Sequence, residues 1–161
     1  MTFREALDKK AHKNGTYICA NLSTDNKFDI FSWVEENKIP NPCSPSQYHC
    51  TVVYSRKGIP DAVSDPILKT QAKAKASSWK IFPSQEGKKC LVLHLESEDL
   101  DKAFRHFKKK YGAVYDFPSY EPHITVSYDY GTDVIPKTLP LTEITFTCYH
   151  IDALDPDKVI K

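Results

Sequence analysis

The stretch YHCTVVYS, residues 48–55, is echoed further along the chain by PHITVSY, residues 122–128. Each contains a histidine, any residue and a threonine, followed by β-branched and aromatic residues, a composition that predicts a β-strand. Because residues two apart on a strand point to the same face, each motif sets an imidazole beside a hydroxyl. The pairs are His49 with Thr51 and His123 with Thr125.

The sequence before each histidine strand follows the same order of strand, helix and proline-bearing loop. The fold class predicted from this repeat is α/β (α+β), with two pseudo-symmetric strand–helix–strand lobes around a central cleft. The lobes cover about 15–57 and 88–130 of a single domain that spans residues 1–161. Related halves of this kind pack about a pseudo-two-fold axis, so we expect the two motifs to face one another across the cleft.

Apolar spacing predicts two helices. Phe28, Phe31 and Val34, flanked by Ile30 and Trp33, mark the first helix. The second begins after the cap residue Ser97 and ends at Gly112. Its expected apolar stripe is Leu100, Ala103, Phe104, Phe107 and Tyr111.

Two further strands are predicted outside the repeat. One covers residues 72–82, between the lobes, and a terminal strand at 143–154 exchanges between them to close the fold. Simple alternation along the terminal strand predicts two opposite faces. Ile144, Phe146 and Cys148 share one of these faces, and Glu143, Thr145, Thr147 and Tyr149 share the other.

Composition narrows the classes of partner. A formal net charge of +1 argues against a long nucleic acid, which usually leaves a strongly basic footprint, but is compatible with a small anionic ligand. No apolar run is long enough to cross a membrane, and no apolar signal region opens the chain. Five cysteines without C-x-x-C spacing predict reduced thiols in a cytoplasmic protein. Neither a metal site nor a cofactor is expected, since His and Cys residues lack the paired spacing of structural zinc.

The other histidines receive structural interpretations. His94 lies on a predicted strand and could reach the cleft, but a core or edge position is favoured for it. The remaining three are expected at the periphery: His12, His106 and His150.

The paired motifs point to metal-independent phosphodiester chemistry. Histidine titrates near neutral pH, so one imidazole can remove a proton from the attacking oxygen while the other delivers one to the leaving oxygen. The threonine hydroxyls can donate hydrogen bonds to the non-bridging phosphate oxygens. The sequence does not say which histidine is the base, because the half-sites are nearly equivalent.

The duplicated H-x-T pattern resembles the two-histidine (2H) phosphoesterase superfamily, which includes RNA 2′,3′-cyclic phosphodiesterases. That resemblance implies a bilobal fold and catalytic roles for His49, Thr51, His123 and Thr125. The compact chain is similar, more closely, to the phage anti-CBASS nuclease family, small 2H enzymes that degrade bacterial cyclic-nucleotide signals. This closer likeness implies substrate-binding roles for Tyr17, Trp79, Glu143 and Tyr149.

Two of these assignments carry alternatives. Core packing is an equal alternative for Tyr17 and Trp79, since aromatic residues dominate protein cores. At the last position the family favours tryptophan, whereas this chain has Tyr149.

Together with the paired motifs, the resemblance implies a phosphodiesterase that hydrolyses 3′,3′-cyclic dinucleotides or cyclic oligonucleotides, such as cGAMP, to counter CBASS antiphage defence. One alternative is an RNA 2′,3′-cyclic or 2′-5′ phosphodiesterase, and another is a sponge that binds the cyclic nucleotide without cutting it. We expect a monomer in the host bacterial cytoplasm, with no membrane partner.

Overall fold

The computed structural model describes residue 2 and residues 11–84 and 86–154. The fold is mixed α/β as predicted, with six antiparallel strands and two helices in the described part of the chain. In chain order these are β1 Thr16–Leu22, α1 Thr24–Glu36, β2 His49–Ser55, β3 Ala72–Pro83, β4 Lys89–Glu96, α2 Glu98–Tyr111, β5 His123–Ser127 and β6 Glu143–Ala153.

The strands close on themselves in the order β1-β2-β5-β4-β3-β6. This ring consists of two three-stranded sheets, β6-β1-β2 and β5-β4-β3, which exchange under a pseudo-two-fold rotation. The sheets meet at two short seams. One joins β2 to β5 at Cys50 and Ile124, and the other joins β3 to β6 between Ala72–Phe146 and Lys75–Glu143.

The hydrophobic core lies between the helices and the strand faces that they cover. It combines Ile30 and Val34 of α1 and Leu100 and Phe107 of α2 with alternate residues of the strands, such as Ile124. The helices pack on one face of the strands, and the opposite face carries half-buried and exposed side chains such as Thr51, Lys75 and Glu143. We call the helix-covered face outer and the opposite face, which the histidine motifs share, inward.

The cap predictions for α2 are confirmed. The Ser97 hydroxyl accepts a hydrogen bond from the Leu100 N–H at 3.0 Å, which satisfies an otherwise unpaired donor of the first turn. Gly112 ends the helix with φ of 72°, a left-handed conformation that glycine adopts without steric cost.

The apolar residues that mark α1 are only partly buried. The helix buries Ile30, Trp33 and Val34, while Phe28 is 61% exposed. The orientation follows from Trp33, whose ring stacks on Trp79 of β3 with centroids 4.7 Å apart. Burying this large aromatic pair rotates the helix away from the stripe that contains Phe28.

A β-bulge corrects the faces predicted for β6. Asn21 pairs with Cys148 but the next residue, Leu22, pairs with Phe146, so Thr147 is the extra residue. The bulge reverses the alternation, and Tyr149 joins Phe146 on the core side with 7% exposure. Glu143 and Tyr149 therefore do not share a face.

Candidate active site

The seam between β2 and β5 brings the two motifs together. Cys50 and Ile124 are antiparallel partners, so one residue further in each direction His49 lies across from Thr125, and Thr51 across from His123. All four side chains lie on the inward face, because Cys50 and Ile124 point into the core. The duplicated motifs thus form one continuous surface.

The two imidazoles are oriented in the same way. Nδ1 of His49 lies 2.6 Å from the Gln47 carbonyl, and Nδ1 of His123 lies 2.7 Å from the Glu121 carbonyl. Since a carbonyl only accepts, each Nδ1 carries the proton and donates. This fixes the tautomer of both rings and leaves Nε2 of each as the nitrogen for proton transfer.

Both histidines favour the neutral form. Burial lowers the pKa of His49, and its hydrogen bond to Gln47 opposes that effect. Burial also lowers the pKa of His123, where the charges of His94 and His49 lower it further and the Glu121 carbonyl and carboxylate oppose them. A bound phosphate would favour protonation of either ring, as an anion does for any nearby cation.

An aromatic ring flanks each imidazole. The Tyr17 ring meets His49 edge-on at 6.2 Å, and the Tyr17 hydroxyl lies 3.1 Å from the Thr51 hydroxyl. Phe82 of β3 meets His123 edge-on at 4.9 Å. The structure therefore places Tyr17 at the candidate site.

Trp79 and Tyr149 lie away from this surface. Trp79 is 5% exposed, and its indole N–H donates to the Thr138 carbonyl at 2.8 Å. The core-packing alternative therefore accounts for Trp79. Glu143 is exposed on the inward-facing side of β6, opposite Lys75 at the β3–β6 seam.

Three functional candidates were missed or misplaced from the sequence. His94 lies directly opposite His123 in the β4–β5 pairing, so the core or edge position expected for it is wrong. Glu121 lies 3.3 Å from the Lys80 ammonium and 3.9 Å from Nε2 of His94. Glu121 could have been found from its position two residues before His123, because the Glu121 carbonyl orients the His123 ring. Lys80 had no comparable signal.

The peripheral position expected for the other histidines holds only for His150, which is exposed. His12 is buried, with Nδ1 2.6 Å from the Thr16 hydroxyl. His106 contacts the buried carboxylate of Asp65 at 2.7 Å. Both belong to packing networks.

A cavity of about 510 Å³ adjoins the site at the end of β4. Its lining includes four carboxylates against one arginine, so it does not favour a phosphate group. The lining residues are His94, Leu95, Glu96, Ser97, Glu98, Asp101, Arg105, Tyr120, Glu121 and Pro122.

The described residues form neither a metal-binding cluster nor a membrane-spanning helix. Across residues 11–84 and 86–154, no cluster of three or more His, Cys, Asp or Glu side chains is arranged to hold a metal ion. Within the same part of the chain, neither helix has the length and apolar character to cross a membrane.

Solved structures of low sequence identity share this fold. E. coli LigT complexed with phosphate aligns with a TM-score of 0.57 and 13% identity, over 84% of each chain. The protein TT0787 of Thermus thermophilus aligns with a TM-score of 0.57 and 14% identity, over 85% of this chain and 83% of that one. The architecture is therefore the expected 2H phosphoesterase fold.

Closer relatives come from phages. Anti-CBASS protein Acb1 of Salmonella phage S16 is 35% identical over 119 residues, 73% of this chain and 74% of that protein. Anti-CBASS protein Acb1 of Vibrio phage KVP40 is 30% identical over 153 residues, 95% and 96% of the two chains. The family model described as anti-CBASS protein Acb1 matches residues 14–161. With nearly the whole chain covered, this protein belongs to the anti-CBASS protein Acb1 family.

Proposed function

We propose that this protein is a metal-independent phosphodiesterase that opens 3′,3′-cyclic dinucleotides or related cyclic oligonucleotides, such as cGAMP. The observation that carries the proposal is the β2–β5 seam, which sets two oriented imidazoles and two hydroxyls on one inward face. Family membership supports a role against CBASS, exerted on a soluble signal in the host cytoplasm.

The reaction uses the two histidines on opposite sides of one phosphorus. One Nε2 takes the proton of a ribose 2′-hydroxyl as its oxygen bonds to phosphorus, and the P–O5′ bond breaks. The other Nε2 gives a proton to the departing O5′, leaving a 2′,3′-cyclic phosphate that water then opens. Each proton transfer contributes about 10²–10⁴-fold in rate.

The remaining groups hold the ligand. The Thr51 and Thr125 hydroxyls donate to non-bridging oxygens, where negative charge must be stabilised. Tyr17 offers a ring to a nucleobase at the His49 side, worth about 1–3 kcal/mol per stacked base. Glu143, exposed at the far seam, is a candidate acceptor for a base amino group. A structure of the similarly folded LigT holds 3′-AMP, which supports a nucleotide ligand for this fold.

Product analysis tests the proposal. The wild-type protein is incubated separately with a panel of cyclic dinucleotides and with RNA ending in a 2′,3′-cyclic phosphate, each with and without EDTA. We expect the protein to cleave a cyclic dinucleotide at the same rate with and without EDTA. We expect His49→Ala or His123→Ala to abolish nearly all of this cleavage. His106→Ala, which changes a histidine of α2 in contact with Asp65 and outside the β2–β5 seam, serves as the matched control.

Three results would contradict the proposal. Consumption of the RNA alone would identify an RNA phosphodiesterase. Recovery of intact cyclic dinucleotide from a stable complex, after denaturation, would identify a sponge. Loss of all activity in EDTA, restored by a divalent cation, would overturn the metal-independent mechanism.

A further inference from the structure

The two half-sites differ at the pseudo-equivalent position across the strand from each motif histidine. The pseudo-two-fold rotation exchanges the β1–β2 pair with the β4–β5 pair. In the first pair Asn21 lies opposite His49, and in the second His94 lies opposite His123. One catalytic imidazole thus has a neutral amide as its cross-strand neighbour, whereas the other has a second imidazole that can carry a charge.

Charged groups surround His94 from every neighbouring element. Lys80 faces it from β3 and Glu121 from the segment before β5, and these two form an ion pair of 3.3 Å. Glu96 faces it from its own strand. On the α2 side the shared cavity adds the charged residues Glu98, Asp101 and Arg105. The side chain of His94 is only 17% exposed. Burial and the charge of Lys80 lower the pKa of His94, while Glu121 and Glu96 oppose them, so His94 gains its charge only on the acidic side of its ordinary pKa.

His49 has a different setting. The side-chain amide of Asn21 donates to the Cys148 sulfur at 3.7 Å, so its N–H group points toward β6. The lowering of the His49 pKa comes from burial alone, opposed by the Gln47 hydrogen bond. The His94 imidazole, beside the Lys80–Glu121 ion pair, therefore has no counterpart next to His49.

We propose that His94 is a positioning residue that makes the half-sites unequal, reserving His123 for accepting the proton and His49 for donating it. This inference rests on the proposed function. The 2′-hydroxyl proton passes to Nε2 of His123 as the 2′-oxygen bonds to phosphorus. The P–O5′ bond breaks, and O5′ takes the proton that Nε2 of His49 carried.

The direction of the electrostatic effects supports this order. Burial lowers the pKa of His123, and positive charge on His94 and on His49 lowers it further. A charge on His94 therefore favours the neutral form of His123, which a general base must have, whereas the neutral amide of Asn21 exerts no such effect on His49.

The test replaces His94 by asparagine, the residue found at the pseudo-equivalent position 21. His94→Asn gives both half-sites an amide neighbour, and His150→Asn is the matched control on β6. The imidazole resonances of ¹⁵N-labelled protein are titrated by NMR without substrate. We expect His94→Asn to raise the pKa of His123 and to leave the pKa of His49 in place, while His150→Asn changes neither.

Kinetics give the second readout. Because a base must be neutral, raising the pKa of His123 moves the acidic limb of the kcat/KM profile to higher pH, while the basic limb stays in place. The maximal rate should fall far less than the ~10²–10⁴-fold loss of a proton-transferring group. Adding Asn21→His to His94→Asn moves the extra imidazole across the pseudo-axis and should lower the pKa of His49 instead.

An unchanged His123 titration in His94→Asn, or an equal shift of His49, would overturn the inference. Movement of the basic limb instead would reverse the assigned roles. If His94→Asn does not fold, the same titration of Asn21→His decides, because an imidazole opposite His49 must lower its pKa. The titrations need no substrate, so they can overturn this inference without bearing on the proposed function. The proposed function is overturned by a separate result, the absence of cleavage by the wild-type protein.

Discussion

Thr51 is held at both its side chain and its backbone. Its hydroxyl lies 3.1 Å from the Tyr17 hydroxyl, and its carbonyl accepts from the Tyr120 hydroxyl at 2.9 Å. Such fixing orients a donor before the substrate arrives, which is the condition for electrostatic stabilisation of a transition state. The Thr51 hydroxyl is therefore held in place before any ligand binds to the proposed catalytic surface.

We expect Thr51→Ala to lower kcat about 10²–10³-fold on the cleaved cyclic dinucleotide, the usual cost of one lost transition-state donor. Thr51→Ser keeps a hydroxyl and is the control, with kcat near that of the wild type. Steady-state kinetics on both variants provide the measurement. A Thr51→Ala protein with undiminished kcat would show that this hydroxyl does not serve the transition state.

The sequence pointed to some residues of the candidate site and missed others. The His and Thr pairs became candidates because the same residue types recur at the same spacing in two places. His94 was misplaced because Leu91, Val92 and Leu93 beside it are all buried, so the local pattern does not reveal which face is the core. Only the cross-strand register, which is non-local, places His94 opposite His123.

Among the elements, α2 is fastened to the 60–69 segment by one buried carboxylate. Asp65 accepts from His106 at 2.7 Å, from the Tyr111 hydroxyl and from the Ile67 N–H at 2.9 Å. Burial alone would raise the pKa of Asp65, but the hydrogen bonds from Tyr111, His106 and Ile67 outweigh it and hold that pKa well below its usual value. This network ties α2 to a segment without strands of its own.

We expect Asp65→Asn to lower the free energy of unfolding by about 1–3 kcal/mol at neutral pH, because the network loses the charge and one accepting oxygen of the carboxylate. Since the folded pKa is depressed, the Asp65 contribution is complete above the unfolded value near 3.8 and is lost as pH falls toward the folded value. The difference between wild type and variant should therefore shrink below about pH 4.

Urea unfolding at pH 7 and at pH 3 measures this difference. Asp61→Asn, a change at an exposed carboxylate in the same segment, is the control. A difference that stays constant or grows on acidification would contradict the assigned role of Asp65.

Elements were predicted well where a local signal exists and poorly where packing decides. Caps and apolar spacing gave α2, with Ser97 and Gly112 at its ends. The rotation of α1 depends on the Trp33–Trp79 stack, and the phase of β6 depends on a bulge at Thr147. The local sequence predicts neither the helix rotation nor the strand phase, because both depend on residues distant in the chain.

Across the whole molecule, Trp79 joins parts that are remote in sequence. It stacks on Trp33 of α1, and both indole N–H groups bind Thr138, one at its carbonyl and one at its hydroxyl. The connection between β5 and β6 is thereby attached to the core. Strand pairing at this scale was not predictable beyond the repeat, since the ring order depends on long-range contacts.

We expect Trp79→Ala to lower the free energy of unfolding by about 3–5 kcal/mol, the usual cost of truncating a buried tryptophan. Trp79→Phe keeps an aromatic ring, so it should lose less. Urea unfolding together with KM on folded protein distinguishes the two roles. A Trp79→Ala protein of wild-type stability with a strongly raised KM would instead restore the base-stacking role implied by the family resemblance.

The pseudo-symmetry of the molecule places His49 and His123 in separate lobes, and we propose that both act on a single phosphorus. The most direct test is kcat/KM for cyclic dinucleotide cleavage by His49→Ala, His123→Ala and the double variant. We predict that the double variant is scarcely worse than either single variant, because residues that act as a unit are not additive. Full turnover by either single variant, or a double loss equal to the product of the single losses, would contradict the account.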